Sequence, residues 1–578
     1  MTRFGSYDGY IQDAMRSWNC PGVALAVVKG DELIHQSVFG LRDVENNLPL
    51  TAQTRFAMAS CTKSFTAMSV ALLVDEGKLE WDKPVREYMP EFILDDPYVT
   101  QHVTVRDMLS HRTGLPRHDF SAWRLDITRA EFIKRMKHLK FNATFREKFQ
   151  YNNLMFYAAA YLVEKVAGQK WEDFVRARIF LPLGMTSSNF KPEPPEQGQV
   201  NAQGYRVDRE TDGSVKGLVN MPFGLHTELS PGAAGALFST LADLIQWLKV
   251  HVNDGRIGDF QLVSPDNLKQ MHLPQTVIPG GGIGEALMGN TIYTYGMGWF
   301  VEPYRESTLI SHGGNVEGHS LIIGFLPKEK IGVVGLTNIA QLPLRDVLLY
   351  ESIDRALDLP ERDWNRKFHA TYDPLIVAEA QAKQTAKEEK IEQAPSTHPL
   401  ETFAGTYAAK GYPDFAVRMN GEGLQACTVG SLKWSELRHY HYNVFEWNLN
   451  DFDIWVKIQF WVNENGEIDS VSIPFETEVE DILFTRKPPE LSAEILAALV
   501  GEYQTPVEGM VFTVTVQAGK IYLAQTGAAP EVIKPYKLEQ AVVGFRLKRI
   551  RLDFIREKNG FPRLVIKSPD FTIEAKRV

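Results

Sequence analysis

Cysteine and long apolar runs are scarce in this 578-residue chain. Its three cysteines, Cys20, Cys61 and Cys427, are far apart and odd in number. Such a set does not form a disulfide framework, and it fits a reducing compartment. No run approaches the roughly 18 apolar residues of a membrane-spanning helix, and the N-terminus lacks an apolar signal core. We therefore expect no membrane span and a cytoplasmic location. The alternative is a secreted or periplasmic protein whose signal peptide has been removed.

Positive charge is also in deficit, because the formal net charge is −10 at pH 7. A chain with this balance is not expected to bind nucleic acid or an anionic membrane as its main activity. The rest of the composition, with 44% hydrophobic and 23% charged residues, is that of an ordinary globular protein. Its length is too great for one hydrophobic core and predicts several domains.

The first 360 residues combine strand patterns at both ends with helix patterns between them. Two apolar β-rich runs flank Lys29-Gly30-Asp31 and predict a hairpin, and further strand patterns return between 295 and 336. From about 60 to 252 the apolar residues recur at helical spacing. We therefore predict an α+β fold in which one antiparallel sheet, flanked by helices, is closed by the two ends of a domain spanning 1–377. An all-helical lobe is inserted into it.

The composition changes near residue 378. Residues 378–398 are rich in Ala, Lys, Glu and Gln and predict an exposed helix followed by a linker. The remaining sequence is β-patterned and contains a repeat, because Phe403–Tyr407 (FAGTY) is echoed by Leu499–Tyr503 (LVGEY). We predict two related small antiparallel β-barrels, 399–487 and 488–578.

Ser60 and Lys63 stand at the start of a run that is apolar almost all round, which predicts a helix buried on every face. Three residues apart, they share one helix face. A serine hydroxyl beside an amine at a helix N-terminus can become a nucleophile without a Ser-His-Asp triad. A second Ser-x-x-Lys, Ser188 to Lys191, starts no helix, and we interpret it as a surface coincidence.

Two further segments carry polar residues at defined places. Tyr151-Asn152-Asn153 precedes a helical pattern, and His312-Gly313-Gly314-Asn315 lies at a predicted strand edge. Paired glycines in a strand allow another backbone to approach closely. Taken singly, Tyr151-Asn152-Asn153 is typical of a packed aromatic residue beside a helix N-cap, and His312-Gly313-Gly314-Asn315 is typical of a turn.

In this order and spacing, the three segments resemble the serine β-lactamase and penicillin-binding protein superfamily, in its class C-like branch of D-peptidases and esterases. Supporting stretches include VTVRDMLSHRTGL (103–115), YGMGWFV (295–301) and HGGNVEGHSLIIGFLP (312–327). The resemblance covers roughly residues 7–360. A catalytic domain followed by two lipocalin-like barrels is similar to the D-aminopeptidase-type branch, in which the added domains help to shape the active-site entrance.

The resemblance implies a role for each motif residue. Ser60 would attack a carbonyl and form an acyl-enzyme, while Lys63 and Tyr151 share the proton transfers. Which of the two is the general base stays open; a neighbouring ammonium would favour the phenolate of Tyr151. Asn153 would bind the amide carbonyl of the substrate. The oxyanion hole would be the backbone N–H groups of Ser60 and Asn315.

The substrate-binding strand departs from the pattern of efficient β-lactamases. His312 takes the place of a lysine and is only partly charged near neutral pH. Gly313 takes the place of a hydroxyl residue that helps to hold the β-lactam carboxylate, and Gly314 completes the motif. Peptidase or amidase activity on a small peptide or amide is therefore expected. Esterase or acyltransferase activity, weak penicillin-binding or β-lactamase activity, and a non-enzymatic ligand-binding role are the alternatives.

Other polar residues are given minor roles. No metal and no cofactor are expected; His439 and His441 could form half a metal site but lack a convincing partner. Cys61 is interpreted as a packing residue. The loop 525–531 is a candidate lid over the site, with an ordinary hairpin loop as the favoured alternative. A homo-oligomer is left open.

Overall fold

The computed structural model describes residues 4–122, 125, 127–190, 201–221, 232–280, 282–388, 390–431, 433–449, 455–538, 542–548, 550–558 and 560–578. The chain divides into two compact units, Met1–Thr485 and Arg486–Val578. The first unit contains an α+β part and one barrel, and the second contains the remaining β-structure.

A nine-stranded antiparallel sheet forms the centre of the α+β part. In spatial order its strands are Thr276–Val277, Thr294–Tyr295, Phe300–Tyr304, Ser307–Val316, His319–Leu326, Ile331–Thr337, Gly22–Lys29, Glu32–Asp43 and Leu48–Pro49. Val27 pairs with Val333 in the middle of the sheet. The two ends of the segment therefore close one sheet, as the sequence predicts.

Helices cover both faces of this sheet. Tyr7–Ser17 and Leu344–Ala356 pack on one face, and Thr62–Asp75 and Leu241–Val252 pack on the other. The helices between them include Pro97–His102, Val105–Leu109, Arg129–Met136, Asn153–Ala167, Trp171–Val175, Leu181–Leu183, Pro265–His272 and Gly282–Met288. The predicted all-helical lobe also contains strands. They are the hairpin Gly204–Arg209 with Val215–Met221, and Phe238–Thr240, which pairs with Arg55–Ala57.

The helix Thr62–Asp75, called the buried helix below, is buried at every position from Thr62 to Leu73. The predicted burial on all faces is thus confirmed. Lys63 and Ser64 are carried into the interior with the apolar side chains, and neither is exposed. A helix this enclosed is a rigid support for a reactive group at its N-terminus.

The first barrel, called barrel 1, is a closed eight-stranded antiparallel barrel within the first unit. Its strands are Gly405–Ala408, Phe415–Asn420, Gly423–Thr428, Ser435–His441, Val444–Asn448, Trp455–Val462, Ile468–Ile473 and Ile482–Arg486. Aromatic side chains fill its interior, among them Phe403, Phe445 and Phe460, whose ring centroids lie 4.9–5.5 Å apart. Its core is continuous with that of the helical lobe.

The second unit holds a nine-stranded antiparallel sheet that nearly closes into a barrel. In spatial order its strands are Glu531–Val532, Lys520–Gln525, Val511–Gln517, Gly501–Gln504, Thr572–Arg577, Gly560–Lys567, Ile550–Glu557, Val542–Leu547 and Lys534–Leu538. The sequence repeat has a structural counterpart. The Tyr407 hydroxyl donates to the carbonyl of Phe403 (2.8 Å), and the Tyr503 hydroxyl donates to that of Leu499 (3.0 Å).

The helix before barrel 1 begins earlier than predicted. It spans Trp364–Glu388, because Trp364 and Phe368 are buried against Tyr350 and extend it back from the polar segment at 378. Within the described ranges, no helix is long and apolar enough to cross a membrane.

Candidate active site

Ser60 lies at a tight junction between a short strand and the buried helix. A 3-10 turn, Ala59–Cys61, leads directly into that helix. Ala59 has a φ of 44°, in the left-handed region that a non-glycine residue seldom adopts. Strain at such a position persists only where the surrounding packing enforces it, and it is frequent at functional sites.

The strand Ser307–Val316, called the motif strand, passes close to this junction. A Cβ atom at Gly314 would lie 2.4 Å from the carbonyl oxygen of Met58 and 3.1 Å from the Cβ of Ala59. Only glycine allows this approach, which brings the His312–Asn315 motif beside Ser60.

Two polar groups converge on the Ser60 hydroxyl. The hydroxyl of Tyr151 donates to Ser60 Oγ at 2.8 Å, and Lys63 Nζ lies 3.0 Å from the same oxygen. Lys63 Nζ also donates to the carbonyl of Ala234 at 3.0 Å. The buried helix and the loop before Asn153–Ala167 therefore bring together the three residues that the sequence names as catalytic.

Burial sets the charge of these groups. It holds the pKa of the Lys63 ammonium well below its usual 10.5 and raises the pKa of Tyr151 above its usual 10.0. The expected stabilisation of a Tyr151 phenolate by Lys63 is thus outweighed by desolvation. Burial therefore favours the neutral amine of Lys63 and the protonated phenol of Tyr151 on either side of Ser60. In its neutral form the Lys63 amine can accept the serine proton while Tyr151 donates to the serine oxygen.

His312 does not supply the cation expected at its position. Its ring is 1% exposed, with Nε2 2.9 Å from the Tyr295 hydroxyl and Nδ1 2.7 Å from the carbonyl oxygen of Gly313. Burial, with a smaller effect from Lys63, lowers its pKa to about 3. The sequence-based expectation of partial charge is therefore wrong, because water does not reach the ring.

The end of the motif strand leaves backbone groups free for a ligand. Its pairing with Phe300–Tyr304 stops at Ser311, whereas its pairing with His319–Leu326 continues through Asn315, opposite Ser320. Ser320 Oγ donates to Asn315 Oδ1 at 2.7 Å, which orients that side chain along the sheet. In the described part of the chain, no strand pairs with residues 312–315 on the side of Phe300–Tyr304, and we call this side the free edge.

Asn153 belongs to a charged group that sequence reasoning missed. Its Nδ2 donates to both carboxylate oxygens of Asp119, at 3.1 and 3.2 Å. Arg117 Nε donates to the same carboxylate at 2.8 Å, and its guanidinium lies 5.4 Å from the centre of the Tyr151 ring. Arg117 and Asp119 lie just after residues 103–115 in the sequence, and no motif marks them. The folded structure alone brings them to the site. The helix N-cap is Asn152, which accepts from the N–H of Met155.

Barrel 1 touches the same loop. Glu476 Oε1 accepts from the backbone N–H of Asp119 at 2.8 Å, and the Phe475 ring stacks on Phe120 at 4.6 Å. Burial, and then the negative charge of Asp119, raise the pKa of Glu476 to about 7. No sequence motif marks Glu476, which acts from a loop some 350 residues later in the chain.

The remaining candidates have structural surroundings. Ser188 is not at the surface as expected; it is 8% exposed and donates to Asp243 at 2.7 Å, while Lys191 lies outside the described residues. Cys61 is buried, its thiol donates to the carbonyl of His312, and burial raises its pKa to about 12, which fits the packing role. His439 Nε2 lies 2.9 Å from the carbonyl oxygen of Tyr442, and His441 Nδ1 accepts from the N–H of Ile391.

The loop 525–531 joins the paired strands Lys520–Gln525 and Glu531–Val532, as a hairpin loop does. It belongs to the second unit. A lid function for it stays a prediction.

The family model described as beta-lactamase matches residues 7–357. The chain belongs to the beta-lactamase family. A second model, described as a domain of unknown function (DUF3471), matches residues 389–486. The family assignment confirms the predicted superfamily, and the observed sheet, helices and barrels confirm the predicted fold class.

Named relatives and solved structures resemble the chain over more than its family domain. It is 29% identical to an unguisins hydrolase of Aspergillus campestris over 429 residues, 71% of this chain and 77% of the relative. A second unguisins hydrolase, of Aspergillus violaceofuscus, is 27% identical over 71% of this chain and 75% of the relative. The octameric penicillin-binding protein homologue of Pyrococcus abyssi has a TM-score of 0.54 at 24% identity, covering 83% of this chain and 99% of that one. This last likeness concerns the fold alone.

Proposed function

We propose that this member of the beta-lactamase serine hydrolase family is a peptidase or amidase that works through an acyl-enzyme on Ser60. The observation that carries the proposal is the Ser60 hydroxyl held between the Tyr151 hydroxyl (2.8 Å) and the Lys63 amine (3.0 Å). A nucleophile within hydrogen-bond reach of a buried base is the arrangement that activated serines require.

The charge states favour Lys63 as the base for acylation. As Ser60 Oγ bonds to the carbonyl carbon, its proton passes to the neutral Lys63 Nζ. When the C–N bond of the tetrahedral intermediate breaks, the leaving nitrogen takes the proton of the Tyr151 hydroxyl, and Lys63 returns a proton to Tyr151. Hydrolysis of the acyl-enzyme by water reverses these transfers.

The backbone N–H groups of Ser60 and Asn315 would bind the oxygen that becomes negative. Two features support this. The N–H of Ser60 belongs to the first turn before the buried helix, where the helix dipole favours negative charge. Asn315 lies in the part of the motif strand whose edge is free on the side of Phe300–Tyr304. Asn153 would then hold the substrate amide from the other side.

Peptide or amide substrates are favoured over β-lactams by the neutral His312 and by Gly313, which offer neither a cation nor a hydroxyl to a β-lactam carboxylate. The fungal relatives are named as hydrolases of unguisins, which agrees with hydrolytic chemistry in this branch.

Hydrolysis of short esters on the same site is the second candidate, since the proposed Lys63 base does not distinguish an ester from an amide. Both enzymatic candidates compete with a ligand-binding protein that has a vestigial site. A homo-oligomer stays a prediction for this chain, and the octameric state belongs to the Pyrococcus abyssi homologue.

One experiment tests the proposal at its core. The purified protein is treated with a fluorophosphonate and assayed with D- and L-aminoacyl p-nitroanilides, p-nitrophenyl esters and a chromogenic cephalosporin, alongside Ser60→Ala. We expect labelling of the native protein at Ser60, turnover of anilides above cephalosporin, and neither labelling nor turnover in the variant. Activity that survives in Ser60→Ala would disprove the assignment. An unlabelled native protein would favour the ligand-binding alternative.

A further inference from the structure

Arg345 reaches across one face of the sheet to the motif strand. It lies in the first turn of the helix Leu344–Ala356, and its Nη1 donates to the carbonyl oxygen of Gly314 at 2.8 Å. The guanidinium fills the space where a side chain at 313 would be, because a Cβ atom at Gly313 would lie 2.9–3.0 Å from it. The absence of a hydroxyl residue at 313 thus has a structural reason in this chain.

The carbonyl that Arg345 binds belongs to the same peptide unit as the N–H of Asn315. Arg345 Nη1 is also 3.4 Å from the carbonyl oxygen of Leu321, the partner of Gly314 in the neighbouring strand. Both oxygens therefore lie between the two strands. In a trans peptide the C=O and N–H point in opposite directions, so the N–H of Asn315 points away from the neighbouring strand, toward the free edge.

We infer that Arg345 is a positioning residue that strengthens the oxyanion hole through the Gly314–Asn315 peptide. A cationic donor on the carbonyl withdraws electron density from the amide and makes its N–H a better hydrogen-bond donor, as charge-assisted and cooperative hydrogen bonds do. The same contact fixes the direction of the peptide plane. The inference rests on the proposed function, in which the N–H of Asn315 is an oxyanion donor.

The surroundings of Arg345 fit this role better than direct substrate binding. Its side chain is 17% exposed, and its Nε is 3.4 Å from the partly buried carboxyl of Asp346 on the same helix. The guanidinium therefore faces one carboxyl and two backbone carbonyls within the protein. In this packing its charge acts on the substrate through the peptide bond.

The test compares Arg345→Met with the native protein by using probes that place an oxygen in the hole. With p-nitrophenyl acetate we expect kcat to fall about 10-fold with little change in KM, less than the loss from deleting an oxyanion donor. The inhibition constant of phenylboronic acid, which forms a tetrahedral adduct on the serine, should rise by the same factor. Arg345→Lys keeps the positive charge but not the planar guanidinium. Its kcat and inhibition constant should lie between those of the native protein and those of Arg345→Met.

A second variant, Gly313→Ala, keeps the test valid if Arg345→Met proves unstable. Gly313→Ala should displace the guanidinium without deleting it and reduce kcat similarly, and adding Arg345→Met should reduce kcat no further. Arg355→Met is the matched control, because this arginine lies on the same helix but pairs with Glu351 and contacts Tyr7. We expect its kcat to stay at the native value.

Two results would overturn the inference. One is a rise in KM with unchanged kcat in Arg345→Met, which would make Arg345 a substrate-binding residue. The other is unchanged boronate binding and kcat in both Arg345→Met and Gly313→Ala. Labelling of Ser60 in the native protein tests the proposed function separately, since the inference depends only on ratios between variants and the native protein.

Discussion

Glu476, in barrel 1, accepts a hydrogen bond from the backbone N–H of Asp119, whose carboxylate holds both Arg117 and Asn153. A residue of the barrel is thus two contacts away from a predicted substrate-binding side chain. The barrel core is continuous with the core of the helical lobe, so this contact is part of the fold of the first unit.

We predict that Glu476→Ala raises KM about 10-fold. The N–H of Asp119 loses its acceptor, so the loop that carries Arg117 and Asp119 can move. The loss in binding free energy is of the order of one hydrogen bond. Steady-state kinetics on an aminoacyl p-nitroanilide measures this. Glu478→Ala is the matched control, since Glu478 contacts Asn142 only through its backbone carbonyl. An equal effect of both changes would contradict a specific role for the carboxylate.

Glu476 should also affect the pH dependence of stability. Its pKa is raised to about 7, so between about pH 4.5 and 7 the folded protein binds more protons at this group than the unfolded chain. The contribution of Glu476 to stability should therefore decrease as pH rises through this window. Urea unfolding at pH 5 and pH 7.5 should show a smaller decrease for Glu476→Gln than for the native protein, and identical decreases would count against the raised pKa.

Lys63 should show the opposite pH dependence. The pKa of Lys63 in the folded protein lies well below 10.5. Between that pKa and 10.5 the unfolded chain binds more protons at this group than the folded protein does, so stability should rise with pH until about 10.5. Lys63→Met should remove this rise and reduce kcat on the order of 10³-fold, as loss of a general base does. Urea unfolding at pH 7 and 9, with kinetics on the same samples, checks both. A Lys63→Met variant that retains native kcat would exclude Lys63 as the base.

Tyr151→Phe should distinguish proton donation from mere packing. The protonated phenol serves the leaving nitrogen of an amide, whereas a p-nitrophenolate leaves without a proton. We expect a loss on the order of 10²-fold for a p-nitroanilide and a clearly smaller loss for the matching p-nitrophenyl ester. Equal losses would assign Tyr151 to positioning Ser60 alone.

Gly314→Ala should disrupt the approach of the motif strand to Ser60. Its Cβ would meet the carbonyl oxygen of Met58 at 2.4 Å, a backbone atom that cannot rotate away. We expect activity to be lost and the free energy of unfolding to fall by about 1–3 kcal/mol, as in other overpacked sites. Gly217→Ala, whose Cβ would meet nothing within 4 Å, is the control for thermal unfolding and kinetics. A Gly314→Ala variant as active as this control would refute the constraint.

Local patterns in the sequence were sufficient for much of the fold and for the contact between Ser60 and Lys63. The apolar run after Ser60 predicts a helix buried on all sides, and helical spacing alone puts Lys63 beside Ser60. The echo of Phe403–Tyr407 in Leu499–Tyr503 predicts two related β-domains, and the same tyrosine-to-carbonyl hydrogen bond occurs in both. The buried helix and the Ser60–Lys63 contact depend on residues a few positions apart, which is the range over which helical periodicity carries information. The repeat is found by comparing two stretches of sequence with each other.

Charge and long-range contacts were decided only by the tertiary structure. The neutral state of His312, the low pKa of Lys63 and the raised pKa of Tyr151 arise from desolvation, which depends on what packs around each group. The contacts of Arg345 with Gly314 and of Glu476 with Asp119 join residues 31 and 357 positions apart. No local pattern encodes such pairs, because folding brings them together through the rest of the chain.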